Sequence, residues 1–271
     1  RRIHRWLGLL IGIQFLLWTL GGLYFSWTRL DAVHGDHLVK APPQLAGDVA
    51  LASPTAVVDA LRARGRVDSL TGVELARVLG EPVWRVRWLA VEDGRAVERH
   101  ALADGRTGAL RPALGRDEAV AVARGAWAGT GEPSEVRLLT ADSVDAHHEY
   151  RGQALPAWAV HFGGDEGATV YVAAELGHVT RVRNDRWRLF DFLWMLHTMD
   201  FRGRDDINNI VLRAFSVLGL VTVLSGFLLF ALTSRPVLAR RHRLHGAAGL
   251  AGEADPVGLA TAEPEPLARR G

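Results

Sequence analysis

The chain has 271 residues, 48% of them hydrophobic, and it contains no cysteine. Disulfides, thiolate metal ligands and covalently attached c-type haem are therefore excluded. The net charge is only +2, and the arginines are spread along the chain. Binding to a nucleic-acid backbone calls for a concentrated basic patch, so we expect no nucleic-acid partner.

Two uncharged segments predict transmembrane helices. Residues 6–28 and 214–234 carry no charged side chain over 23 and 21 positions, and each is long enough to cross a hydrocarbon layer of about 30 Å. A cleaved signal peptide is the alternative for the first segment. Its apolar run exceeds a typical signal core, however, and aromatic residues mark both of its ends. We interpret it as a retained helix, which makes the lipid bilayer a partner of the chain.

Arginine-rich flanks predict the orientation in the membrane. "RRIHR" precedes the first segment and "RPVLARRHRLH" follows the second, so the positive-inside rule places both termini in the cytoplasm. The region between the spans is then exported, or periplasmic. The last residues, rich in Ala, Gly, Pro and Glu, predict a disordered cytoplasmic tail. The expected location is the cytoplasmic (inner) membrane.

The middle of the chain contains the same helix-and-strand pattern twice. "SPTAVVDALRARG" (53–65) predicts a helix capped by its serine, and residues 81–110 predict strands joined by turns at "EDG" and "ADGRTG". A helix at 116–127 and strands within 154–182 repeat this order. Each copy is expected to be one helix followed by an antiparallel meander of about three strands. The fold class is therefore α+β, anchored by two transmembrane helices.

These patterns divide the chain into seven segments. In chain order they are the cytoplasmic flank with the first transmembrane helix (1–29), a linker (30–52), the first module (53–112), the second module (113–183), an interfacial amphipathic helix with its loop (184–209), the second transmembrane helix (210–234), and a basic segment with the tail (235–271).

The first module, with its helix and its "PVWRV…ADGRTG" strands, resembles a PepSY unit, and the second module repeats the same order of elements with a related sequence. "RRIHRWLGLLIGIQFLLWTLGGLYFSW" resembles the opening helix of the PepSY-associated transmembrane proteins, and "RWRLFDFLWMLHTMDF" resembles the segment that leads to their closing helix; the resemblance covers about residues 1–235. It implies a non-catalytic, exported binding or regulatory domain, whose partner is an envelope protein or a protease, with a link to metal or siderophore uptake.

The same resemblance implies an alternative function. Some larger relatives, with four or more spans, are ferric-siderophore reductases that hold b-type haem between histidines. The alternative is therefore a b-type haem electron-transfer protein of the ferric-reductase kind. An accessory subunit of a metal-uptake system, without any cofactor, is a third hypothesis.

Residues 186–201, "RWRLFDFLWMLHTMDF", predict an amphipathic helix on the outer membrane surface. Helical spacing places His197 on its apolar face, together with Phe190, Leu193, Trp194 and Phe201. The opposite face carries Arg188, Asp191, Thr198 and Arg202. Desolvation favours the neutral imidazole, which is the form that binds metal. His197 is then either a buried, hydrogen-bonded structural histidine or a haem or metal ligand.

Histidines near the two membrane faces are the candidate haem ligands. His197 and His34 form the expected outer pair, within one chain or across a homodimer that completes a four-helix bundle. His4 lies about 35 Å from the outer end of its helix, so it belongs to a separate inner cluster with His242 and His245. Packing, or snorkelling to lipid headgroups, is the alternative role of His4.

Two further residues complete the candidate cofactor sites. Arg213, at the outer end of the second span, is expected to pair with haem propionates, with Asp191 or with lipid phosphate. His37, in "HGDH" (34–37), is a candidate metal ligand. "HHEY" (147–150) lacks the second histidine that a zinc-protease helix requires, and we interpret it as a polar surface loop. No catalytic residue is predicted.

Overall fold

The computed structural model describes residues 2–42, 44–164 and 166–250. The chain divides into two compact units, Arg1–Ala214 and Phe215–Gly271. Within the described ranges, two helices are long and apolar enough to cross a membrane: Gly8–Trp27 within α1 (Arg2–Trp27), and Ile210–Thr233 within α6 (Ile210–Leu250). Both predicted spans are therefore helical, which is compatible with a membrane anchor. The predicted disordered tail begins at residue 247; residues 247–250 instead belong to the end of α6, and the rest of the tail lies outside the described residues.

The first module is one helix on a four-stranded antiparallel sheet. α3 (Pro54–Arg64) is followed by β1 (Ser69–Val78), β2 (Glu81–Glu92), β3 (Arg95–Asp104) and β4 (Leu110–Arg111), which pair in that order. The helix begins where the sequence predicts, because Oγ of Ser53 accepts a hydrogen bond from the Thr55 amide at 3.2 Å and Pro54 occupies the first turn.

The second module repeats this order of elements. It consists of α4 (Arg116–Ala126), β5 (Pro133–Leu139), β6 (Ala157–Phe162), β7 (Thr169–Ala173) and β8 (His178–Arg183), and its strands also pair in chain order. Trp84 of β2 lies opposite Ala103 of β3, and Trp158 of β6 lies opposite Val172 of β7. The α+β class and the repeated order are confirmed, with four strands in each sheet rather than about three.

β1, the first strand of the first module, was not predicted because the turn between β1 and β2 has no sequence signal. Asp93 and Gly94, between β2 and β3, have φ values of 50° and 76°, as expected for an Asp-Gly pair in a two-residue hairpin. Between β1 and β2 the same positions are Leu79 and Gly80, with φ values of 52° and 95°. Leucine rarely adopts this conformation, so the sequence carries no recognisable turn signal there.

The modules share part of their core. α3 covers one face of the first sheet, where Val57 packs near Trp84. α4 covers the second sheet, where Ala123 belongs to the same cluster as Val160. The opposite face of the first sheet, including Leu102, joins this second cluster. Burial of apolar surface between the sheets therefore holds the two modules together.

The segment 30–52, expected to be a linker, also contributes to the core. α2 (Leu30–His34) and a 3-10 helix (Asp36–Leu38) follow α1. Leu38 is only 5% exposed within the shared cluster, and Val39 forms an isolated bridge with Trp127 at the end of α4. The chain is thereby fixed to the second module soon after α1 ends.

α5 (Asp185–Thr198) ends before the predicted end at residue 201. Met199 follows it in the left-handed conformation, with φ 55°. The Asp200 carboxylate then accepts hydrogen bonds from the amides of Arg202, Gly203 and Asp206, which holds the chain in a tight loop. The expectation that Phe201 and Arg202 extend the helical faces is therefore wrong, and Phe201 is exposed.

Candidate functional site

α5 follows α1 over ten residues of each helix, in the opposite direction. The Tyr24 hydroxyl donates a hydrogen bond to the Arg186 carbonyl at 3.4 Å, and Nε2 of Gln14 donates one to the Leu196 carbonyl at 3.2 Å. Ten residues correspond to about 15 Å of helix. α5 thus runs alongside α1, whereas a helix lying flat on a membrane surface would cross an upright α1.

His197 lies in an aromatic cluster between these two helices. Its ring centroid is 5.7 Å from that of Trp18 and 5.9 Å from that of Phe25, both on α1, and 6.1 Å from that of Trp194 on α5. Phe190 adds a further ring, with its centroid 4.7 Å from that of Phe25. Helical spacing therefore placed His197 on the correct face of α5, and α1 supplies the surface that this face covers.

Two buried nitrogen atoms of the aromatic cluster have no hydrogen-bond partner among the described residues. They are Nδ1 of His197 and Nε1 of Trp18. A buried polar atom without a partner costs roughly 1–3 kcal/mol. Of the two roles expected for His197, the hydrogen-bonded structural one therefore lacks a partner for Nδ1 among the described residues, and the role as a ligand stays a prediction. An indole N–H is a donor and a neutral imidazole nitrogen is an acceptor. The indole nitrogen therefore needs an acceptor, and the imidazole nitrogen in this form needs a donor.

The opposite face of α5 is bound to the second module by partly buried charges. Arg188 donates to both carboxylate oxygens of Glu149, at 2.8 and 3.1 Å, and the Tyr171 hydroxyl donates to the same carboxylate. Burial, followed by the neighbouring Glu149 charge, raises the pKa of Tyr171 and keeps its hydroxyl protonated as a donor. Glu149 therefore belongs to this contact with α5, and interpreting "HHEY" as a polar surface loop was wrong for this residue.

Asp191 is almost fully buried on the same polar face, at 4% exposure. It accepts one hydrogen bond from Arg151 at 2.7 Å and another from Arg204. These ion pairs connect the loop before β6 and the loop after α5 to the helix. Removing one partner of a buried ion pair costs roughly 3–5 kcal/mol. Asp191 takes these partners rather than Arg213, which is exposed in the first turn of α6.

Asn184 fixes the start of α5. Its Oδ1 accepts a hydrogen bond from the Trp187 amide at 2.8 Å, and its Nδ2 donates to the Ala32 carbonyl at 3.0 Å and to Glu166 at 3.2 Å. Glu166 is also 3.1 Å from Nε2 of His37. α2, the second module and α5 therefore meet at this residue.

A cavity of about 600 Å³ opens beside the start of α5. It lies between the segment 34–39, strand β8 and Trp187. The guanidinium carbon of Arg183 lies 4.0 Å from the centroid of the Trp187 ring, a distance typical of a cation–π contact. Burial and repulsion from Arg181 lower the pKa of Arg183 to about 10, so this side chain stays charged at neutral pH.

The structure does not bring the predicted haem ligands together within one chain. His34 lines the cavity beside Trp187, near the start of α5, whereas His197 is about 15 Å further along that helix. Axial imidazole nitrogens stand about 4 Å apart across an iron, so a haem held between these two residues of one chain does not fit. Their pairing across a homodimer stays a prediction.

The other predicted site residues lie apart from this pair. His37 is exposed, and the described residues contain no group of three or more metal-binding side chains, so its role as a metal ligand stays a prediction. His4 belongs to α1, but its side chain lies outside the described residues, as do those of His242 and His245. The predicted inner haem cluster therefore also stays a prediction.

Sequence analysis did not identify three residues that hold α5. Asn184 stands directly before a helix with a strong apolar face, which is a recognisable N-cap signal. Arg151 and Arg204, the partners of Asp191, give no such signal. Their contacts join residues 40 and 13 positions apart, and such contacts depend on the tertiary fold rather than on local sequence.

Comparison with known proteins identifies no related protein. The chain matches no family model, no curated protein and no solved structure. The resemblance to PepSY proteins stays a prediction from the sequence, and the functional argument rests on the contacts of α5.

Proposed function

We propose that the chain is a membrane-anchored protein of the PepSY-associated type, whose two modules form an exported binding or regulatory domain. The apolar lengths of α1 and α6 support the anchor. The arginine-rich flanks support an orientation with both termini in the cytoplasm. The repeated helix-and-meander architecture supports the resemblance on which the family assignment depends.

The observation that carries this proposal is that α5 contacts α1 on one face and the second module on the other. Its aromatic face, with His197, packs on α1, while Arg188 and Asp191 bind the module. A domain on a flexible linker moves independently of its anchor. A domain bound through this helix does not, so a change in the domain on binding a partner would reach α1. This coupling is what a regulatory domain requires.

The proposed partner is a protein of the same compartment, either an envelope protein or a protease. Within the two described sheets, β1 and β5 are outer strands that pair with a neighbour on one side only. An outer strand offers backbone donors and acceptors to an added strand, which is a recurring mode of peptide recognition. The link to metal or siderophore uptake rests on the resemblance and stays a prediction.

Cysteine labelling tests the proposed topology, because the native chain has no cysteine. Arg95→Cys and Asp142→Cys introduce thiols at exposed positions of the first and second modules. A membrane-impermeant maleimide should label both in intact cells made permeable only at their outer envelope. Arg240→Cys, beyond the second span, should be labelled only after the membrane is opened. The reverse labelling pattern, or recovery of the protein in the soluble fraction, would contradict the proposal.

A further inference from the structure

We propose that the cavity beside the start of α5 binds a phosphate-type anion, either the phosphate of a lipid headgroup or a free phosphate ester. Only the premise that the cavity lies near a membrane rests on the proposed function. The cavity has a volume of about 600 Å³, which falls in the range of ordinary small-ligand sites. Its walls come from three different elements, so a ligand bound there would contact α5, the second module and the segment after α1.

Two arginines give the cavity its charge. Arg181 and Arg183 stand two positions apart on β8 and therefore project from the same face of the strand. Arg181 donates a hydrogen bond to the Thr180 carbonyl at 2.8 Å, and Nε of Arg183 donates one to the Glu149 carbonyl at 3.0 Å. Among the described residues neither arginine forms an ion pair with a carboxylate. Two like charges on one cavity wall repel each other, and a bound anion relieves that repulsion.

The geometry of Arg183 suits a phosphate group. Its guanidinium stacks on Trp187, and its Nε is already hydrogen-bonded. The two terminal amino groups have no acceptor among the described residues, so they can donate side by side to two oxygens of one phosphate. Asp36 also lines the cavity and offsets one positive charge. Two arginines against one aspartate leave a net charge of +1 at the wall.

The cavity lies near the outer end of α1. Tyr24 of α1 contacts Arg186, the residue next to Trp187 of the cavity wall. His34, on the opposite wall, follows the last residue of the apolar span, Trp27, by seven positions. Tyr and Trp at the end of a span mark the level of the lipid headgroups. A headgroup phosphate therefore reaches the cavity without leaving the membrane surface.

The test uses the full-length protein in detergent with three variants. Arg183→Gln and Arg181→Gln each remove one cavity charge, and Arg181 is the more exposed of the two, so its variant tests the site even if Arg183→Gln disturbs the fold. Arg95→Gln is the matched control, because Arg95 is an exposed arginine on the first sheet. Native mass spectrometry measures retention of phosphatidylglycerol, and calorimetry measures binding of inorganic phosphate.

We expect each cavity variant to weaken binding about tenfold, as for loss of one charge-assisted hydrogen bond, and the control to leave it unchanged. Retention of phosphatidylglycerol with this pattern identifies a lipid ligand. Binding of inorganic phosphate with this pattern, without lipid retention, identifies a free phosphate ligand. Binding of neither probe, or equal loss in Arg95→Gln, would overturn the inference. Because binding in detergent does not depend on orientation, this result and the labelling result can fail separately.

Discussion

Asp191 and His197 lie on opposite faces of α5, and the groups that cover each side chain account for its burial. Arg151 and Arg204 bind the carboxylate, whereas the rings of α1 cover the imidazole. Helical periodicity was sufficient to assign the two residues to opposite faces. It could not supply their partners, because two of these come from loops whose positions are set by the whole fold.

The packing role of His197 leads to a prediction for two substitutions. His197→Ala removes a ring from the cluster around Trp18 and Phe25, and should lower the free energy of unfolding by about 1–3 kcal/mol. His197→Phe keeps the ring and removes the unpartnered Nδ1, so it should be at least as stable as the native protein. Thermal unfolding in detergent measures both, with exposed His147→Ala as the control.

Absorption spectra of the same proteins test the alternative role of His197 as a haem ligand. If His197 is a haem ligand across a dimer, native protein from haem-replete cells shows a Soret band, and both substitutions remove it. A Soret band that His197→Phe abolishes would contradict the assignment of His197 to packing alone.

At the scale of elements, local signals decided what was predictable. α3 and α4 begin where the sequence predicts, because Ser53 and the Glu118 side chain, which accepts from the Gly115 amide at 3.2 Å, are local capping groups. β1 and β5 were not predicted. The turn at Leu79 has no sequence signature, and the apolar residues of β5, "PSEVRLL", do not alternate strictly with polar ones.

The role of the segment between α1 and α3 was also not predictable from local sequence. Residues 30–52 were expected to be a linker, yet Leu38 inserts into the core shared by the two modules. The buried residues Val33 and Leu38 are five positions apart, which fits neither the helical nor the strand period, so their burial could not be read from the sequence.

Leu38→Ala should therefore destabilise the protein by about 2–4 kcal/mol, because it leaves a cavity in a closely packed cluster. Leu51→Ala, in the same segment but 40% exposed, should change the stability by less than about 0.5 kcal/mol. Urea unfolding followed by tryptophan fluorescence compares the two. Equal effects would mean that the segment 30–52 acts as a linker after all.

For the whole molecule, composition and apolar length were enough to predict two helices that are long and apolar enough to cross a membrane, with an α+β region between them in the chain. The path of α5 was not predictable in the same way. An amphipathic helix can lie on a membrane or pack on another helix with the same pattern of residues. Only the partners of its apolar face distinguish the two, and those partners lie on α1, more than 160 residues earlier in the chain.

Disulfide crosslinking in native membranes tests most directly whether α5 joins α1 to the modules. In the cysteine-free chain, Gln14→Cys with Leu196→Cys places two thiols where the side chain of one residue now contacts the backbone of the other. Gln14→Cys with Arg186→Cys places them about 15 Å apart along α5, beyond the reach of a disulfide. Mild oxidation should crosslink the first pair and leave the second free, as read by mass spectrometry of the peptides. Crosslinking of neither pair, or of the second pair alone, would contradict the arrangement.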